Sequence, residues 1–264
     1  MSNALIYGNG KSRLEFNPQE SNFVTWGCNR IYREKIHIDN LVAVDYIRQH
    51  EIYSDGYAKD NVCWFSDWHE LPKQFIDKPA WGSRHLELLK LGFDKDQIFE
   101  NSKVGKTRCV VRGKNPFTAI QKFYNIEKPK DEGEIEALKH KCMRNTGLYI
   151  TWLDNKDKVN HINEFEGNSA GSTAMYLAAK QGAKEIYLLG FDLATPGKPL
   201  SNVHVLPGYE KGFDSLTWER QMKTVMREFK DVKFYWISPQ EHTKRFKGID
   251  NLKFIKELGR HEEN

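Results

Sequence analysis

Short apolar runs, each stopped by glycine or aspartate, dominate the pattern along the chain. Ala4-Leu5-Ile6-Tyr7 leads into Gly8-Asn9-Gly10-Lys11-Ser12-Arg13, Phe23-Val24-Thr25-Trp26 stops at Gly27, and Leu41-Val42-Ala43-Val44 stops at Asp45. Runs of four apolar, β-branched or aromatic residues between turn signals predict buried strands. Ile186-Tyr187-Leu188-Leu189, closed by Gly190-Phe191-Asp192, repeats the pattern, and the run from Val232 to Trp236 predicts a further strand. A helical rhythm separates them: Ala174, Leu177, Ala178 and Gln181 share one face, Gly182 supplies a left-handed end, and a second helix is predicted over roughly Ser215 to Phe229. Strands that alternate with helices pair in parallel, because only a crossover returns the chain to the same end of the sheet. The expected fold class is therefore α/β, a Rossmann-like, doubly wound and mostly parallel sheet.

From about Tyr46 to Glu166 the rhythm weakens. Asn61 to Phe65 and Cys109 to Val111 predict strands and His85 to Leu91 a helix, whereas charge crowds Lys122 to Arg144, punctuated by Pro129 and Gly133. The organisation expected is one nucleotide-binding domain over 1–264, with an insertion or lid at approximately 66–165. A single α/β domain of 264 residues is ordinary for this class.

Composition narrows the function classes. Hydrophobic residues at 39% and charged residues at 29% are globular values. Apolar runs such as Ile186 to Leu189 fall far short of the roughly 20 residues that span a bilayer. The first residues lack the charged and apolar regions of a signal peptide, so a cytoplasmic location is expected. Cys28, Cys63, Cys109 and Cys142 lie more than thirty residues apart, which offers no local zinc chelate and predicts reduced, structural thiols. A formal charge of +4 suits a polyanionic ligand without implying nucleic acid. The basic cluster of Lys103, Lys106, Arg108, Arg112 and Lys114 is read as solvated surface in preference to a nucleic-acid contact, and Trp64-Phe65, Trp68 and Trp81 as core in preference to a stacking platform.

In an open parallel sheet, ligands sit beyond the carboxyl ends of the strands, so the turns after the strands carry the candidate chemistry. Gly8 and Gly10 permit close backbone approach, with Asn9, Lys11 and Ser12 as donors for a phosphate or a base. This turn is neither a Walker loop nor a dinucleotide fingerprint, since Leu5 and Arg13 stand where those motifs need glycine. Asn29, after Gly27-Cys28, offers a donor and an acceptor to a base or ribose. Gly167 to Ser172 precedes a helix, so Gly171 and its neighbours present amides at the positive end of a dipole, with Ser169 and Ser172 adding hydroxyls; a plain N-cap is the competing explanation. Asp192 ends a buried strand, where a carboxylate needs a ribose, a metal or backbone donors.

Together, Gly8-Asn9-Gly10-Lys11-Ser12, Cys28-Asn29, Gly171 at a helix start and Lys184 to Asp192 make a set that resembles the bacterial sialyltransferases of glycosyltransferase family 42. The glycine turn, Asp45 and Gly190 to Leu193 also resemble hydroxymethylpterin pyrophosphokinase-like proteins. The first resemblance implies a cytidine nucleotide-sugar, with Asn9, Ser12 and Asn29 near phosphate and sugar or base, and Gly171, Gly190, Phe191 and Asp192 around the nucleoside. It also implies metal-free inversion, with a histidine as general base. Tyr209 occupies the position of that histidine, Ala170 that of a family serine, and His204 is the nearest alternative base.

The leading expectation is a nucleotide-sugar-dependent glycosyltransferase in which Lys11 or Arg13 holds the leaving phosphate. The acceptor is a glycan or small molecule. The alternatives are pyrophosphoryl transfer to a pterin-like alcohol, with magnesium held by carboxylates such as Asp45 and Asp192 and bridging nucleotide phosphates, and nucleotide binding or sequestration without turnover.

Overall fold

A computed structural model describes residues 3–16, 23–66, 68–70, 107–112, 149–154, 157–162, 168–194, 200–204, 215–237 and 240–256. The expected helix at 85–91, the charged stretch at 122–144, and Trp81, Lys103, Lys106, Lys114, Gly167 and Tyr209 lie outside these residues. The chain divides into two compact units, 1–44 with 61–64 and 165–264, and 45–60 with 65–164.

The first unit holds a parallel sheet. Its strands are β1 (Asn3–Tyr7), β2 (Phe23–Cys28), β3 (Asn40–Ala43), the first half of β4 (Cys63–Ser66), β9 (Glu185–Leu189), β10 (Lys233–Ile237) and β11 (Leu252–Ile255), in the spatial order β11-β10-β9-β1-β2-β3-β4. The pairings β1 with β2, β2 with β3, β1 with β9, β9 with β10 and β10 with β11 are all parallel. The early strands run outward from β1 on one side and the late strands on the other. The order therefore reverses between β1 and β9, which makes their carboxyl ends the switch point of the sheet.

The continuous apolar runs are what such strands require, being covered on both faces. Leu5, Ile6, Trp26, Leu41, Ile186, Leu188, Phe234 and Trp236 are all at most 1% exposed. Helix α3 (Ala170–Lys180) packs across β9, β1, β2 and β3, and against α4 (Leu216–Glu228). Its buried face combines the small residues Ala174, Ala178 and Ala179 with Met175 and Leu177. Its end follows the sequence: Gly182 takes φ 92°, its amide donates to Ala179 O and that of Ala183 to Ala178 O, the paired bonds of a Schellman stop.

The second unit contains α1 (Tyr46–Ser54), α2 (Tyr57–Asp60), β8 (Val159–Ile162) and a three-stranded antiparallel sheet of β5 (Trp68–Glu70), β6 (Thr107–Arg112) and β7 (Tyr149–Asp154). Within it Lys158 N donates to Ala58 O at 2.9 Å and Gln49 Nε2 to Ser66 Oγ at 3.1 Å.

An ionic cluster fixes the start of α4. Glu219, 8% exposed, accepts from Lys223 Nζ at 2.5 Å and from Arg245 Nε at 2.7 Å, while Arg245 also donates to Ala194 O at 3.2 Å. Burial pushes the Glu219 carboxyl up, but the bonds and charges of Lys223 and Arg245 outweigh it, and the net pKa is lowered. A carboxyl depressed on folding gives stability that is present above its ordinary value and is lost as pH falls through the lowered one. Glu219→Gln is therefore expected to cost about 1 to 3 kcal/mol at pH 7. The gap between thermal melts of the two proteins should narrow as pH falls below the ordinary glutamate value of about 4.3; a gap that persists undiminished into acid would refute the ionic origin.

Candidate functional site

The strand ends at the switch point are joined before any ligand arrives. Gly8 N donates to Leu189 O and Gly10 N to Gly190 O, each at 2.8 Å, so the turn after β1 lies directly on the turn after β9. The glycines make this possible: a Cβ on Gly8 would lie 2.3 Å from Gly190 O, and one on Gly10 2.4 Å from Asp192 Cγ. Gly190 itself has φ 73°, with Arg13 and Gly8 packed against it. The first turn thus spends its glycines on contact between loops, where the sequence suggested approach to a phosphate.

Asp192 completes the joint. One carboxylate oxygen accepts from Ser12 N at 3.0 Å and Ser201 Oγ at 2.7 Å, and the other accepts from Ser12 Oγ. The carboxylate that reads as ligand-facing is satisfied by the protein, as is the Ser12 hydroxyl. Asp45, the other carboxylate considered for a metal, belongs to the second unit. Among the described residues, no group of three or more His, Cys, Asp or Glu is placed to hold a metal ion.

An open cleft lies beside this joint, with an empty volume of about 690 Å³ that includes solvent at its mouth. Gly8, Asn9, Gly10, Asn29, Ser169, Gly171, Ser172, Gly190, Phe191 and Asp192 line it, so ten of the residues singled out in the sequence converge. Cys28, Ala170, Leu193, Leu200, Ser201, Asn202, Trp218 and Met222 complete the wall. Trp218 and Met222 stand one turn apart on α4, a spacing indistinguishable in sequence from core, and Ser201-Asn202 lie in a loop with no periodic signal.

The polar groups of the cleft differ sharply in what they leave free. Ser169 caps α3: its Oγ accepts from Ser172 N at 3.3 Å and lies 2.7 Å from Ser172 Oγ. Gln221 of α4 accepts from Ser169 N and Ser172 Oγ. Both serines are committed, as the capping explanation has it, and the first-turn amides without an intrahelical acceptor are those of Ala170 and Gly171. Gly171 is held against Phe191, whose ring carbon Cε1 would lie 3.0 Å from an added Cβ.

Asn9 and Asn29 are in the opposite condition. Asn9 Nδ2 donates to Cys28 O at 3.1 Å, but its Oδ1 is buried and has no partner among the described residues. Asn29 Oδ1 is likewise buried without a partner, on a residue held at φ 53°, in the left-handed region that asparagine tolerates better than most. Buried carbonyl oxygens without donors are rare and call for a water or a ligand. The Cys28 thiol beside them is pushed up to about 12 by burial, which leaves it protonated and inert.

Besides Ser12 and Asp45, three more expected residues lie off the cleft wall. The Lys11 side chain is exposed, and its amide meets Ser201 Oγ at 3.3 Å. Arg13 is 4% exposed and its guanidinium pairs with Glu34, so it is a buried structural charge and no free phosphate ligand. His204 follows the lining pair Ser201-Asn202; its Nε2 lies 2.8 Å from Glu34 Oε1, and its amide donates to Asn202 Oδ1 at 2.8 Å.

No family model and no curated protein matches the chain. Among solved structures, the sialyltransferase CST-II in complex with CMP aligns with a TM-score of 0.43 and 14% identity, over 93% of this chain and 85% of its own. The sialyltransferase CstII from Campylobacter jejuni, in complex with a substrate analogue, CMP-3FNeuAc, aligns with a TM-score of 0.35 and 13% identity, over 97% and 89%.

The joint between the two turns is testable without a ligand. Gly10→Ala places its methyl group against the Asp192 carboxylate and Gly190 O, and is expected to destabilise the protein by about 1 to 3 kcal/mol in urea denaturation. A midpoint equal to wild type would show that the turns do not depend on this approach.

Proposed function

We propose that the cleft binds a nucleotide-sugar and that the protein transfers the sugar to an acceptor hydroxyl, releasing the nucleotide. The observation that carries this reading is the pair of buried, donorless amide oxygens of Asn9 and Asn29 in a cleft that also presents the start of α3. Hydroxyls of a ribose or sugar and an exocyclic amino group are the donors such oxygens need, while the amides of Ala170 and Gly171 suit an anionic phosphate. Phe191, Leu193, Leu200, Trp218 and Met222 give the same cleft an apolar side on which a flat base can lie. The sugar in this proposal comes from the resemblance carried by Gly8–Ser12, Cys28–Asn29 and Lys184–Asp192.

In the proposed reaction the acceptor oxygen bonds to the anomeric carbon as the bond from that carbon to the phosphate oxygen breaks. The departing electron pair stays on the phosphate, where helix-terminus amides stabilise the growing charge. The acceptor proton passes to His204. Charge stabilisation by fixed dipoles and a side-chain base together account for the step with groups of this chain.

The first measurement is a thermal-shift series with CMP, CDP, UDP, GDP, ADP and ATP, each with and without magnesium. Metal-independent stabilisation by a pyrimidine nucleotide is expected, reaching about 2.7 kcal/mol at a hundred times the dissociation constant. Asn29→Gly, which suits the left-handed backbone and removes the amide, should melt like wild type alone and lose most of that shift. His204→Ala should keep the shift and lose transfer. Stabilisation by ATP only with magnesium would favour pyrophosphoryl transfer, and no response to any nucleotide would end the proposal.

A further inference from the structure

We infer that Glu34 is a positioning residue for His204, a carboxylate held in place by buried Arg13 so that the ring keeps its proton on Nε2 and leaves Nδ1 as the proton acceptor. The inference deepens the reading of His204 as the base and rests on it.

Three residues distant in sequence meet at one atom. Glu34 Oε1 contacts the Arg13 guanidinium and lies 2.8 Å from His204 Nε2. The Arg13 side chain is 3% exposed, and a guanidinium removed from water must keep a counter-charge. Arg13 therefore fixes the carboxylate, and the carboxylate is not free to follow the imidazole. Arg13 is itself immobilised, since its Cβ and Cδ crowd Gly190 at the joint between β1 and β9.

The histidine is held from its other end. Val203 N donates to Asn9 O at 2.7 Å and His204 N to Asn202 Oδ1, so the backbone at 203–204 is bonded to two residues that line the cleft. With both the backbone and the carboxylate fixed, the ring has one nitrogen assigned to Glu34 and one left over. The Nε2 contact is close but off the ring axis, and makes no aligned hydrogen bond. The broad χ2 well of histidine accommodates the rotation that aligns it, and contacts of this kind commonly tighten when substrate arrives. A carboxylate on one ring nitrogen selects the tautomer that frees the other, which is the role the orienting acid plays in nucleophile and base pairs generally. In the sequence, Glu34 sits in a polar loop after Arg33 with nothing to distinguish it, which is why pattern reading passes over it.

The test is the ring nitrogen spectrum of His204 in full-length protein labelled with 15N-histidine, recorded at about pH 8.5, where histidine is ordinarily neutral. Wild type is expected to give a single Nε2–H form. Glu34→Gln should keep it, because Arg13 still draws the amide oxygen to the same place. The double variant Arg13→Met, Glu34→Leu removes both charges without leaving either unpaired, and should give the mixed tautomers of an unrestrained imidazole. An Nδ1–H form in wild type, or a double variant with the wild-type spectrum, would overturn the inference. Nucleotide titration of the same samples separates the two ideas. Stabilisation by nucleotide with the wrong tautomer defeats the role of Glu34 alone, whereas the Nε2–H form without any nucleotide response defeats the reading of the cleft and leaves the geometry of Glu34 standing.

Discussion

Everything at the switch point depends on two turns touching. Adjacent parallel strands at a topological reversal normally send their chains to opposite faces, and the gap between them is where ligands enter. Here Gly8 and Gly10 bring the turn after β1 against Gly190, and Asp192 stitches it to Ser12 and Ser201. The cleft lies beside this joint, with the two turns, Asn29, the start of α3 and the face of α4 as its walls. Side chains at this joint are used up by the joint itself: Asp192, Ser12 and Arg13 support the floor, and the groups left for a ligand are amide oxygens and backbone amides.

The division of labour follows from what burial costs. A buried carboxylate or guanidinium is tolerable only when paired, so Asp192 and Arg13 each collect protein partners. A neutral amide oxygen left without a donor costs less, of the order of 1 to 3 kcal/mol. Asn9 and Asn29 can therefore stand in the cleft unsatisfied, at a cost that donors of a bound ligand would offset. Asn29 adds an unusual backbone angle to the same place. Two buried amide oxygens without donors and a left-handed backbone, met in one cleft, mark where local rules have been set aside for another purpose.

The sheet was legible in the sequence because buried parallel strands are nearly pure apolar runs. β1, β2, β3, β9 and β10, with α3 and α4, stand where the runs and helical spacings put them. β11 escaped notice: Leu252-Lys253-Phe254-Ile255 mixes charge into an edge strand that is only partly buried, and Asn251, whose amide donates to Met226, Phe229 and Val232 carbonyls, fixes the approach to it from a distance no local pattern encodes. α1 was likewise hidden, since Tyr46 to Ser54 is polar and lacks a strong apolar stripe. At the cleft, sequence could say which loops would meet and not which atoms would remain free. Ser169 and Ser172 carry the right chemistry, yet Gln221, about fifty residues away in the chain, takes their bonding capacity.

His204, the base in the reaction proposed above, shows the same limit from the other side. As a lone histidine in a loop it has no local signature of a base, and the position that the family resemblance favours is Tyr209. What singles out His204 is tertiary: a backbone pinned beside Asn9, and a ring nitrogen placed on a carboxylate that is itself obliged to stay by a buried arginine. Each link is forced by the one before it, from the glycines that let Gly190 approach, to the arginine packed on Gly190, to the glutamate that neutralises it. A general base needs this sort of support more than it needs a particular place in the chain, because its usefulness lies in where its lone pair points when the substrate is bound. The joint between β1 and β9 therefore shapes the cleft and also supplies, through Arg13 and Glu34, the fixed frame on which a base beside that cleft would depend.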